Sequence, residues 1–304
     1  MTESSAERPE GGRLHHLAAR PETVRWGYYD RALEPVLLVR SGDLIQIQAI
    51  THRAGDAPEL FMDDPVVATL YDQVLERGPG GHILTGPIDV EGAEPGDSLE
   101  VRLLDLRPRG RYGANRATPF GYLFEEFDRV QQVTIYERLE AGGLARPLFR
   151  YRAPDIAGIG ALVPATARQD LPAQAGIALP LRPHLGIAAV APAEPGRVST
   201  VPPGRHGGNV DNWRIGAGAR MYYPVLVPGA LFSVGDPHWA QGDAELNGTA
   251  IEASLDVLLQ LVLHPRQPIG NPLLETPTHW FTHGFDRDLN LAMRQAALEM
   301  LSLL

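Results

Sequence analysis

The chain contains neither cysteine nor lysine; all 27 of its basic residues are arginine. Each absence removes a class of chemistry. Without cysteine there is no thiolate nucleophile, no disulfide and no Cys-Xaa-Xaa-Cys metal site. Without lysine there is no Schiff base, no Ser-Lys pair and no phosphate-binding loop of the lysine type. Arginines are scattered and the formal charge is -10, which offers nothing to neutralise a nucleic-acid backbone and opposes an anionic membrane surface. No stretch approaches the roughly 18 apolar residues of a membrane span. The beginning, MTESSAERPEGGRLHH, is polar and acidic where a secretory signal has a basic start and an apolar run, so the expected setting is the cytoplasm. No Gly-Xaa-Ser-Xaa-Gly elbow occurs, so a serine triad lacks its local signature. It stays open, because Ser, His and Asp are present and triads are defined by geometry. What remains is histidine, carboxylate, hydroxyl, or a metal held by nitrogen and oxygen.

What the chain has in quantity is punctuation. With 32 glycines and 27 prolines in 304 residues, few windows suit an ordinary helix, and the composition favours β structure. Ser41-Gly42-Asp43 precedes the alternating Leu44-Ile45-Gln46-Ile47-Gln48, and Pro95-Gly96-Asp97 precedes Leu99-Glu100-Val101-Arg102-Leu103; each reads as a turn feeding a half-buried strand. Gly235-Asp236 reads as a third such turn, after an apolar run whose Pro224 and Pro228 suggest edge strands or bulges. Helices are few. Asp64-Pro65 starts one with apolar spacing through Leu75, ended by Gly78-Pro79, and Asp286 is placed to cap a C-terminal docking helix carrying Leu289, Met293, Ala296, Met300 and Leu304 on one side. The length fits a single unit over 1–304, or two intimately associated β subdomains with a boundary near 107–200, where no period is sustained.

The densest concentration of chemistry lies at 229–252, GALFSVGDPHWAQGDAELNGTAIE, where four carboxylates and a histidine are interleaved with glycines and apolar residues. Packing alone favours regular apolar alternation, whereas Asp236, His238, Asp243 and Glu245 are ligand or acid-base groups on turn-rich backbone. Asp243 is the bystander of the group, and His184 in LRPHLG reads as a packing or surface histidine. Asp56 and Glu59 form either a second acidic patch or a helix-entry turn, and His279 in PTHW is weaker still as a candidate.

Several segments in order resemble the acetamidase/formamidase family: TVRWGYYDRALEPVLLVRSGDLI, DAPELFMDDP, GGHILTGPIDVEGAEPGD, PPGRHGGNVDN, YYPVLVPGALFSVGDPHWAQGDAE, GTAIEASL and PTHWFTHGFDRDL. The resemblance implies a mainly β fold with sandwich and barrel-like parts, hydrolysis of a small amide to a carboxylic acid and ammonia or an amine, and metal dependence in some members. The family segment commonly reads GDGHAAQGDGE. Here Pro237 and Ala244 replace glycines and Trp239 replaces a small residue, which puts substrate identity in question. The positions of Asp236, His238, Asp243 and Glu245 match.

An amide is resonance-stabilised, and with neither lysine nor cysteine a divalent metal is the economical way to attack it. On this reading Asp211, Asp236 and His238 are the metal ligands and Glu245 the general base, with His82 as a ligand or oxyanion donor unless it is simply a buried, satisfied histidine. His206, Asn209 and Trp239 are the candidate substrate contacts. Mixed carboxylate and imidazole ligands suit zinc first, with manganese, iron or calcium as other occupants. The expected partners are a small amide and a second copy of the chain, as a dimer, with neither nucleic acid nor membrane. Two rivals stand beside it: a hydrolase of the same fold for a lactam or larger amide, and a non-catalytic β-sandwich module holding a ligand or calcium.

Overall fold

The computed structural model describes residues 12–140, 143–153 and 160–304. Two large sheets dominate it, as the glycine and proline content predicts. The smaller runs Leu14–Leu17, Leu44–Ala49, Leu255–His264, Ser98–Pro108, Arg220–Pro224, Leu273–Glu275, Trp280–Thr282. Its first pair is parallel and the remaining neighbours antiparallel. The predicted alternation is realised there: Ile45, Ile47 and Ala49 are buried on one face, as are Leu99, Val101 and Leu103 two strands away, across Leu255–His264. Burying each branched aliphatic side chain of this kind contributes about 1.5–3 kcal/mol.

The larger sheet runs Leu171–Pro172, Leu144–Arg152, Gln132–Arg138, Tyr112–Arg116, Ile251–Glu252, Phe232–Ala240, His184–Ala189, Gly207–Asn209. A further strand, Ile83–Val90, also pairs with Phe232–Ala240, and carries Val24–Trp26 and Leu37–Val39 on itself. Neither sheet closes into a barrel. One apolar cluster draws on both sheets, joining Ile45, Leu99, Leu259 and Met221 to Ile88, Leu185, Val234 and Trp239. A second, around Trp26, Phe61, Leu70 and Tyr151, packs the short helices against the larger sheet. Strands from both ends of the chain enter the smaller sheet, and the stretch near 107–200 supplies much of the larger one. Among the described residues no helix is long and apolar enough to cross a membrane.

Two of the three Gly-Asp dipeptides are turns and the third is not. Asp43 accepts hydrogen bonds from the Arg13 and Arg40 amides at 2.9 and 3.0 Å and pairs with His15 at 2.8 Å; Asp97 accepts from the Glu94 and Arg266 amides at 3.0 and 2.8 Å. Gly235-Asp236 instead lies inside Phe232–Ala240, a central strand, because Pro224 ends the preceding strand and Pro228 falls in the loop before this one. The helix begun by Asp64 spans Pro65–Gln73, short of the predicted stop at Gly78, because the chain beyond it turns back to pair with Trp26: Arg77 bridges that residue and the Gly78 amide donates to its carbonyl. The C-terminal helix, Leu289–Leu303, is capped by Asp288, whose carboxylate accepts from the Asn290 and Leu291 amides. Asp286 closes the preceding turn on the Asp288 amide instead. This helix docks over Trp280–Thr282 through its Ala292 and Ala296 side, so Leu289, Met293 and Leu304, expected to dock, are exposed.

Asp64 both caps its helix through the Val66 amide at 2.9 Å and holds the Arg109 guanidinium in a fork at 2.5 and 2.9 Å. Asp64→Ala is expected to lower unfolding free energy by about 1–2 kcal/mol, mostly from the lost cap, as read by urea unfolding.

Candidate active site

The central strand Phe232–Ala240 carries the site, and register across the larger sheet assembles it. His238 pairs with His184 on one side and Glu252 on the other, so three ionisable side chains lie abreast on adjacent strands. Asp236 sits two residues earlier with φ of 47°, a left-handed conformation inside a strand. Opposite it is Gly186, where a Cβ would lie 2.6 Å from Asp236 Oδ2, 2.7 Å from Asp211 Oδ1 and 2.7 Å from His238 Cε1. Only the missing side chain at Gly186 lets these three groups converge. Asp211 arrives from the loop after Gly207–Asn209, and Glu245 from a short turn after the strand.

Asp211, His238 and Glu245 present ligand atoms within 4.8 Å of one another, and so do His52, His82 and Asp236, and Asp236, His238 and Glu252. The contacts within the cluster are long. His238 Nε2 is 3.2 Å from Asp236 Oδ2, His82 Nε2 is 3.8 Å from the same oxygen, and His52 Nδ1 is 3.5 Å from Asp236 Oδ1 and 3.3 Å from Glu252 Oε2. Arg53 reaches Glu252 at 3.9 Å. Outer partners orient two of the rings. His82 Nδ1 meets Thr200 Oγ1 at 3.0 Å, and His238 Nδ1 meets His184 Nε2 and Gln241 Oε1, each at 3.1 Å. His184 in turn is anchored by its Nδ1 on the Arg182 carbonyl at 2.7 Å.

Such crowding perturbs every proton equilibrium. Burial, followed by the charges of Glu245 and Asp236, pushes the Asp211 carboxyl well up, and burial with the Asp236 charge does the same to Glu252 against the pull of Arg53. Burial also raises Glu245. Burial opposes a charge on Asp236 too, yet the adjacent His238 above all holds that carboxyl well below its usual range. For His238 burial disfavours the proton, but the adjacent Asp236 carboxylate prevails and lifts the ring to about 10. Burial keeps His52 and His82 on the neutral side.

The donor set suits a metal. Asp211 Oδ1, Asp236 Oδ1, His238 Nε2, Glu245 Oε1, Glu252 Oε2 and His52 Nδ1 are all buried with no hydrogen-bond partner among the described residues. Buried polar atoms are rarely left so, and imidazole nitrogens beside carboxylates are the donors of zinc-type centres. A cleft of about 500 Å³ adjoins this centre at Glu245 and Gln241, and is lined further by Asp243, Arg182, Asn115 and Tyr136 among others.

The predicted residues divide by position. Asp211, Asp236, His238, Glu245 and His82 come together in the cluster. His206 and Asn209 flank it: the His206 ring stands edge-on to Tyr29 at 5.1 Å, and His206 Nε2, Asn209 Oδ1 and the Tyr29 hydroxyl are buried without partners among the described residues. Burial, then the charges of Asp236, Tyr223 and Asp211, raise the Tyr29 phenol, which places that hydroxyl in the field of the same carboxylates. Trp239 is elsewhere. It is fully buried in the shared core, on the strand face opposite His238, where a bare Gly113 leaves room for its ring. A direct substrate contact is therefore not the role that its placement supports. Asp243 is exposed and accepts from Trp213 Nε1 at 2.7 Å, while Asp56 pairs with Arg116, Glu59 with Arg168, and His279 lies on the surface beside Thr278. Missed in the sequence were His52, Glu252 and the supporting His184, Gln241 and Thr200. Glu252 lies within the recognised segment GTAIEASL, and His52 just before DAPELFMDDP.

A mainly β scaffold with a buried imidazole and carboxylate centre opening to a cleft is the architecture of a small-molecule enzyme. The chain belongs to the acetamidase/formamidase family, whose model matches residues 29–195 and 193–278. It is similar to a formamidase of Methylophilus methylotrophus, 29% identical over 322 residues that take in 90% of this chain and 77% of that protein. It is also similar to an acetamidase of Mycolicibacterium smegmatis, 32% identical over 199 residues, 55% of this chain and 49% of that protein, so the match spans about half of that relative. In fold it matches the crystal structure of a recombinant predicted acetamidase/formamidase from Thermoanaerobacter tengcongensis, with a TM-score of 0.73 at 23% identity over 96% of this chain and 83% of that one.

The family glycine replaced by Ala244 stands at φ of 64°, followed by Glu245 at 41°. A left-handed alanine costs about 1–2 kcal/mol, part of which a glycine returns through its looser unfolded chain. Ala244→Gly is expected to stabilise the protein by about 0.5–1 kcal/mol in denaturant unfolding; a loss of stability would show that this turn is not strained.

Proposed function

We propose that this chain hydrolyses a small linear amide, formamide- or acetamide-like, to the carboxylic acid and ammonia, with a divalent metal as cofactor. The observation that carries the reading is the convergence of Asp211, Asp236 and His238 on the bare face of Gly186, each with a buried side-chain atom that has no hydrogen-bond partner among the described residues, beside a cleft that Glu245 lines. Family membership and the named formamidase and acetamidase relatives support amide hydrolysis as the reaction.

Asp211, Asp236 and His238 would hold the metal. A divalent ion there polarises a carbonyl and lowers the pKa of a water to about 7. Glu245 accepts the water proton as the oxygen–carbon bond forms and returns it to nitrogen as the carbon–nitrogen bond breaks, releasing ammonia. Its raised pKa suits a group that must both take and give a proton, and its strained turn fixes the carboxylate at the cleft. His206 and Asn209, with Tyr29 beside them, offer the amide polar atoms that have no partner among the described residues. Nitrogen and oxygen ligands together favour zinc over manganese and disfavour calcium, which takes oxygen alone. The working form is a cytoplasmic dimer in this reading, with the exposed Leu289, Met293 and Leu301 side of the C-terminal helix as the contact; absence of cysteine fits that compartment.

The test is ammonia release from formamide and acetamide by the purified protein, before and after chelation and with zinc, manganese or calcium restored. Release lost on chelation and recovered with zinc is expected, and chelator-resistant release would overturn the metal role. Glu245→Gln is expected to lower kcat by about 100-fold or more with the thermal transition retained. Wild-type turnover in that variant would move the base elsewhere.

A further inference from the structure

We propose that the centre holds two divalent cations, bridged by Asp236, the second bound by His52 and His82. The inference rests on the metal-dependent reading above and extends it from one ion to a pair.

The donors are too many and too divided for a single ion. Asp211, His238 and Glu245 form one group and His52, His82 and Asp236 another, with no residue in common, while Asp236, His238 and Glu252 join the two. Asp236 stands between the two: its Oδ1 lies toward His52, while its Oδ2 is shared by His82 of one group and His238 of the other. A carboxylate placed so is the natural bridge of a two-metal site, where the ions stand about 3.5–4 Å apart.

Spacing distinguishes metal ligands from hydrogen-bonded pairs. The contacts of Asp236 and Glu252 with these histidines measure 3.2, 3.3, 3.5 and 3.8 Å. Good charge-assisted hydrogen bonds cluster near 2.7–2.9 Å. Two ligands at about 2.1 Å on a tetrahedral ion are instead separated by about 3.4 Å. His52 Nδ1 and Asp236 Oδ1 are both buried and partnerless among the described residues, and His52 is 5% exposed. The Thr200 contact at His82 Nδ1 leaves its Nε2 to face Asp236, the outer-partner arrangement usual for a metal-bound histidine. Of the two roles open to His82, this geometry favours ligand over oxyanion donor.

The experiment is metal content, measured by mass spectrometry on protein stripped with chelator, reloaded with excess zinc and passed through a desalting column. About two ions per chain are expected for the wild type, falling to about one in His52→Asn and in His82→Asn. Cobalt loading adds a readout independent of turnover: the electron paramagnetic signal per ion should weaken between one and two equivalents as neighbouring ions couple. Saturation of the wild type at one ion per chain, or two uncoupled cobalt ions, would overturn the pair. If one variant fails to fold, the wild-type stoichiometry and the cobalt signal decide. One ion with chelator-sensitive hydrolysis removes only the second site; no ion with chelator-resistant hydrolysis removes the metal reading as well.

Discussion

The constraint on which the structure turns is the placement of carboxylates and imidazoles inside a β-sheet, where water cannot solvate them. A buried ion loses several kcal/mol of solvation, and the loss is tolerated only where partners are supplied with good geometry. The sheet gathers these groups by register, yet leaves several of their buried atoms without a hydrogen-bond partner among the described residues. His184, His238 and Glu252 stand abreast, Gly186 leaves space for Asp236, and the loops bring Asp211 and Glu245 to the same point. Asp211, Asp236, Ala244 and Glu245 are all left-handed without being glycine. Strain of about 1–3 kcal/mol at such positions persists only where surroundings over-determine it, and here it falls on three side chains of the candidate site, Asp211, Asp236 and Glu245.

The three Gly-Asp dipeptides show how identical local sequence serves opposite ends. At Asp43 and Asp97 the carboxylate is consumed by backbone amides and ties loops to strands of the smaller sheet. At Asp236 the same dipeptide lies in a strand, its amides belong to the sheet, and the carboxylate is left to face histidines. Nothing in two residues distinguishes these cases. The distinction comes from the company: Gly235-Asp236 is followed by a histidine two positions on, and the other two are followed by alternating aliphatic residues.

That difference also marks how far the sequence could be read. Alternation identified Leu44–Ala49 and Ser98–Pro108, because period two is a local property of a strand with one buried face. Density of ligand-capable groups found Asp236, His238 and Glu245. His52 escaped because Ile50-Thr51-His52-Arg53 has no local pattern of a site; only pairing of strands far apart in sequence brings it to Asp236. Glu252 escaped for a related reason, being one acid in the apolar stretch Thr249–Ser254, and its meaning appears only from its register with His238. The C-terminal cap moved from Asp286 to Asp288 because two aspartates two residues apart offer the same chemistry, and the choice depends on where the preceding turn closes.

The family departures at Trp239 and Ala244 can now be separated by their consequences. Trp239 alternates away from His238, so its bulk is absorbed by the core, where Gly113 on the adjoining part of the sheet makes room. Its effect on the pocket is at most indirect. Ala244 adjoins Glu245 in the turn that walls the cleft, and a side chain there narrows the backbone's freedom beside the proposed base. On the proposed function, selectivity among amides would rest with the cleft wall, with Asn115, Tyr136, Arg182 and this turn, while the buried centre would constrain which reaction is possible. On that reading the Ala244 substitution, in the turn that walls the cleft, would alter what enters more readily than what happens once it has entered.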